Sequence, residues 1–129
     1  MPPEDTRYDR GLATMRTIFG PGIDAALDSL AATSPALARC LAEFPFADIY
    51  PRPGLDLKTR EMITVTALVV LGYAQPELKD HIRGALNVGC TQDEILEIIL
   101  QMAVYAGFPA ALEAIKTAAA VFSEQAASD

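Results

Sequence analysis

Between Asp56 and Leu71 the chain runs Leu57, Met62, Ile63, Val65, Leu68, Val69, Val70 and Leu71 at helical spacing, and beyond its first turn almost no polar face is left. A helix of this kind is buried on several sides, either at the centre of a domain or inside an oligomer. Asp56 is a suitable N-cap for it. The run from Val65 to Leu71, interrupted only by Thr66, is far short of the roughly 20 apolar residues that cross a bilayer.

The rest of the chain carries the same helical punctuation. Leu12, Met15, Ile18 and Phe19 recur on one face of a segment over 6–19, which Gly20 and Pro21 stop. A second helix is expected over 23–32, with Ile23, Leu27 and Leu30 inside. Ser34 followed by Pro35 reads as an N-cap and a first-turn proline, opening a helix through Leu37, Leu41 and Phe44. Pro45 interrupts that pattern, leaving 46–50 as a kinked continuation or a separate turn. The prolines at 51 and 53 make 51–54 a rigid connector, which holds Arg52 out of helix. Pro76 and Gly89 delimit a short helix, and Thr91 with Glu94 forms a capping box for the next. That helix carries Ile95, Ile98, Ile99, Met102, Ala103 and Ala106 up to Gly107. Pro109 opens an alanine-rich last helix expected to end near Ser123, with a fraying tail from Glu124 to Asp129. The fold class is therefore all-α, in one domain over 1–129. Alanine lets helices approach closely but buries little area, so neighbouring subunits are expected to cover part of the apolar surface.

Seventeen acidic and ten basic residues give a net charge of -7, which disfavours nucleic acid and anionic membrane as partners. The polar opening Met1-Pro2-Pro3-Glu4-Asp5 is no signal peptide, and a cytoplasmic protein is expected. Cys40 and Cys90 stand in no metal-ligand spacing and read as free thiols; with one histidine in the chain, no metal site is expected.

That histidine, His81, sits on the helix between Pro76 and Gly89, with Leu78, Ile82, Ala85 and Leu86 on its buried side. Glu77 lies one turn earlier on the same face, where a carboxylate fixes the imidazole tautomer and favours its charged form, as a general acid needs. The other reading is a boundary histidine in a surface ion pair. Glu61 is a second proton carrier or a first-turn carboxylate placed by the helix dipole. Arg60, Arg83 and Arg52 are candidates for binding a carboxylate by a bidentate fork, or partners of the chain's own acids. Cys90 lies near a helix start, without a base in sequence view.

Arg52-Pro53-Gly54-Leu55-Asp56, Thr59-Arg60, Leu71-Gly72, Glu77-Leu78 with His81-Ile82-Arg83 and Ala85, Asn87, Gly89, Thr91, Glu94-Ile95, and 105–111 (Tyr-Ala-Gly-Phe-Pro-Ala-Ala) together resemble the carboxymuconolactone decarboxylase family. The opening Arg7-Tyr8-Asp9-Arg10-Gly11-Leu12 resembles the start of its decarboxylases, so the likeness covers nearly the whole chain. The resemblance implies the helical fold shared with the alkylhydroperoxidase AhpD family, about six to seven helices, assembled as a trimer of dimers. It also implies decarboxylation, without metal or organic cofactor, of 4-carboxymuconolactone or a related lactone acid to 3-oxoadipate enol-lactone. His81 is then the proton donor tuned by Glu77 or Glu61, and Arg60, Arg83 and Arg52 bind the small-molecule carboxylate. A related lactone or oxoacid hydrolase or isomerase, or a non-enzymatic ligand-binding or assembly protein, are the alternatives. The thiol peroxidase chemistry of the AhpD branch has no nucleophile here, because Ala74 and Glu77 stand at the positions of its Cys-x-x-Cys pair. Two residues depart from the decarboxylase pattern: Glu61 replaces a small polar residue and resembles the AhpD-like proton-relay glutamate, and Tyr50 replaces a tryptophan.

Overall fold

The structure, a computed structural model, describes residues 6–128; the polar opening at 1–5 and Asp129 lie outside them. The described residues are all-helical and fall into two compact units that meet in sequence at Leu57 and Lys58.

In the first unit, α1 (Arg7–Phe19) opens on a reciprocal cap: the Asp9 amide donates to Thr6 Oγ1 at 3.0 Å, and the Thr6 amide to Asp9 Oδ2 at 3.3 Å. It ends at Gly20, whose φ of 85° suits a residue without Cβ. Helix α2 (Ile23–Thr33) follows, and then α3 (Pro35–Leu41), where the Leu37 amide donates to Ser34 Oγ at 3.2 Å. The chain does not break at Pro45. It continues as a π-helix over Ala42–Ile49, ending where the Tyr50 amide donates to the Pro45 carbonyl at 2.8 Å, five residues back. A wider turn accommodates a proline ring that would crowd the carbonyl one α-turn earlier. Met15, Ile18, Leu27, Ala38, Ala42 and Phe46 form the interior. Phe46 meets Phe19 edge-on at 5.6 Å and stacks on Tyr50 at 4.8 Å.

The second unit holds α4 (Leu57–Leu71), α5 (Gln75–Asn87), α6 (Gln92–Ala106) and α7 (Phe108–Ser128). Its core joins Val65 and Val69 of α4, Leu78 and Ile82 of α5, Ile95 and Ile99 of α6, and Ala114, Ala118 and Val121 of α7. The Thr91–Glu94 capping box forms, each side chain accepting from the other's amide at 3.0 Å. Within one chain α4 buries one face, while Ile63, Val70 and Leu71 remain about half exposed.

The last helix runs to Ser128 and does not fray from Glu124. Arg83 Nε and Nη2 donate to the two Glu124 oxygens at 2.9 and 2.8 Å, Lys79 approaches at 3.1 Å, and Gln92 Nε2 donates to Gln125 at 3.2 Å. These contacts from α5 and α6 hold the terminal turns that sequence position alone would leave loose.

Candidate active site

Glu61, Val65 and Val69 lie four residues apart on α4 and share a face, so packing the two valines into the core carries Glu61 in with them. Its side chain is fully buried. On α5, Leu78, Ile82 and Ala85 face the core and place His81 at its edge, with 16% of its side chain exposed. Helices α4 and α5 bring the two together: Glu61 Oε2 lies 2.9 Å from His81 Nδ1. With Glu61 ionised, Nδ1–H donates to it, and Nε2 is left as the ring atom that gives or takes a proton. Glu61 Oε1 is also buried and has no hydrogen-bond partner among the described residues. Such an oxygen costs about 1–3 kcal/mol, and a charged group held at that cost beside a titratable ring is the pattern of a functional site.

Of the sequence candidates, the structure brings Glu61 and His81 together and leaves Glu77 apart. Glu77 is exposed and makes no hydrogen bond or ion pair with His81 among the described residues. The spacing on one helix permitted that contact, but the core packing of α4 against α5 supplies a partner twenty positions away in sequence. Arg83, two residues from His81, points to the other side of α5 and is committed to Glu124 and, at 3.1 Å, to Asp80. Arg83 first and Lys79 second hold the Glu124 carboxyl down to about 2. Arg60 is partly buried beside Glu61 on α4, and Arg52 is exposed on the connector of the first unit. Both cysteines are free, Cys40 exposed and Cys90 buried with its Sγ 4.0 Å from the Lys58 carbonyl. Among the described residues no three His, Cys, Asp or Glu side chains gather as metal ligands, and no helix is long and apolar enough to cross a membrane.

A helical scaffold in which a buried carboxylate orients the chain's single imidazole, without a thiol pair beside it, defines a class built for proton transfer. The chain belongs to the carboxymuconolactone decarboxylase family, whose model matches residues 35–120. It is similar to the 4-carboxymuconolactone decarboxylase of Acinetobacter baylyi, at 32% identity over 94% of this chain and 90% of that one. An uncharacterized 15.0 kDa protein of Paracoccus denitrificans is 36% identical over 86% and 84% of the two chains. The nitrosuccinic acid decarboxylase of Metarhizium robertsii is 33% identical over 84% of this chain and 76% of its own.

Proposed function

We propose that this protein is a carboxy-lyase that decarboxylates 4-carboxymuconolactone or a related lactone acid to 3-oxoadipate enol-lactone, without metal or organic cofactor, using His81 as the proton donor. The observation that supports this most directly is the 2.9 Å contact between buried Glu61 and His81. When the ring carboxylate leaves as carbon dioxide, the electron pair of the broken C–C bond delocalises into the unsaturated lactone as a dienolate. Imidazolium Nε2–H then delivers a proton to the ring carbon next to the carbonyl, and Glu61 stabilises the imidazolium beforehand and keeps the neutral ring oriented afterwards. Arg60, adjacent to Glu61 on α4, is assigned the remaining substrate carboxylate. Arg83 would have to release Glu124 to share that work, so its role here is to tie α5 to α7.

The Metarhizium relative motivates a second substrate on the same chemistry. Nitrosuccinic acid, like the lactone acid, has two carboxyl groups, one on a carbon whose carbanion an electron-withdrawing neighbour stabilises. The reading takes 1–129 as one family domain in the cytoplasm. Val104, Tyr105 and Phe108, each 72% exposed or more, support further copies covering them, as a trimer of dimers.

The test is an assay of purified protein with 4-carboxymuconolactone and, separately, nitrosuccinic acid, following carbon dioxide release, with His81→Asn alongside and light scattering on the same samples. Turnover reduced ~10²–10⁴-fold in the folded variant is expected. A folded His81→Asn protein with its rate intact removes the proton-donor assignment, turnover of nitrosuccinic acid alone moves the substrate, and a monomer mass removes the assembly.

A further inference from the structure

In the first unit, α1 and the connector that follows the π-helix enclose a cleft of about 490 Å³, within the size range of small-ligand sites. It is lined by Thr14 and Thr17 from α1 and by Tyr50, Arg52, Leu55 and Asp56 from the connector side, with Pro51 and Pro53 between. We infer that this cleft binds a small organic acid carrying a hydrogen-bond donor on the carbon next to its carboxylate, with Arg52 taking the carboxylate and Thr14 and Thr17 accepting from the donor.

The lining is fixed before any ligand arrives. Pro51 and Pro53 lock their φ angles, the Arg52 amide donates to the Ile49 carbonyl at 3.1 Å, and the Tyr50 ring is stacked on Phe46. Little ordering entropy then opposes binding. The polar groups define the ligand. Arg52 is the cation of the lining, and its planar fork matches a carboxylate. The Thr14 hydroxyl donates to the Arg10 carbonyl at 3.3 Å and the Thr17 hydroxyl to the Ala13 carbonyl at 3.1 Å. Each hydroxyl proton is used on main chain, so each oxygen is offered to the cleft as an acceptor, and Asp56 adds a third acceptor. A bare carboxylic acid satisfies Arg52 and leaves these oxygens unanswered. A neighbouring hydroxyl or ammonium answers them, while Pro51, Pro53 and Leu55 receive an apolar body. Nothing in this depends on the reaction at His81.

Three ligands that differ at one position separate the possibilities: 3-phenyllactate with a hydroxyl, phenylalanine with an ammonium, and 3-phenylpropionate with neither. In amide NMR titrations of the full chain, phenyllactate or phenylalanine is expected to shift Thr14, Thr17, Tyr50 and Leu55, and to bind about 3–10-fold more tightly than phenylpropionate. The better of the two identifies the donor. Arg52→Ala should weaken that binding about 10–100-fold, with Arg52→Lys between, and His81→Asn should leave it unchanged. Equal affinity for all three acids, an Arg52→Ala protein that binds like wild type, or an absence of shifts in the first unit at millimolar ligand would each overturn the inference. Lactone turnover by a protein without this binding, or binding without turnover, tells its failure apart from that of the decarboxylase reading.

Discussion

Glu61 is held inside by the valines that share its face, and of its two buried oxygens one bonds His81 and the other bonds nothing among the described residues. An acid so placed contributes little to folding, because its desolvation offsets most of what the contact with the imidazole returns. Glu61→Met, close in volume, is therefore expected to leave stability unchanged or to raise it by about 1–3 kcal/mol in urea unfolding, while turnover falls by ~10²-fold or more. Glu61→Gln keeps an acceptor for Nδ1–H without the charge, so a rate between those of wild type and Glu61→Met would assign the loss to charge as well as to ring orientation. A Glu61→Met protein that unfolds more easily by over ~2 kcal/mol would instead make the carboxylate a structural group whose loss leaves a buried partner unpaired.

At the scale of elements, α1 meets the π-helix without a side chain between them at Gly11. A Cβ there would stand 1.9 Å from the Ala42 carbonyl oxygen, which is backbone and cannot swing aside. Gly11→Ala is expected to cost about 1–3 kcal/mol of stability by forcing the two helices apart. Gly22 is the control: its φ is -66° and nothing lies within 4 Å of its Cβ position, so Gly22→Ala should be neutral or stabilising by about 0.4–1 kcal/mol. Equal effects at both positions in thermal unfolding would mean that the close approach carries no strain. The helix boundaries were legible where one residue decides them locally: Gly20 by its positive φ, Ser34 and Thr91 by their caps. The π-helix was not, because Pro45 removes an α-ladder bond without saying whether the chain stops or widens. Glu61 and His81 were both visible as candidates, yet their pairing is set by how α4 packs on α5, and local spacing favoured Glu77. The length of α7 was hidden for the same reason, since its last turns depend on side chains from α5 and α6.

Across the molecule, exposed ion pairs staple helix to helix inside each unit: Arg7 to Asp48, Arg16 to Asp24 at 2.6 Å, Lys58 to Glu94 at 3.1 Å, and Arg83 with Lys79 to Glu124. In every one the carboxylate lies below its ordinary range: Asp48 by the Arg7 hydrogen bond, Asp24 by that of Arg16, Glu94 by the Thr91 backbone amide and then Lys58, and Glu124 by Arg83 and Lys79. A carboxyl whose folded value lies below its unfolded one binds fewer protons when folded, so its contribution is complete above the unfolded value and disappears as pH falls through the folded one. For Glu124 that window runs from 4.5 down to about 2. Helicity followed by circular dichroism should therefore stay level above pH 4.5 and decline below it, more steeply for wild type than for Glu124→Gln, which lacks the Glu124 share of the proton uptake. Because these groups are exposed, about 1 M salt should shrink the difference between the two proteins. Identical acid limbs at low salt would mean that the α5–α7 clasp does not resist acid, and a difference that survives high salt would mean that Glu124 acts through packing of the last helix and not through its charge.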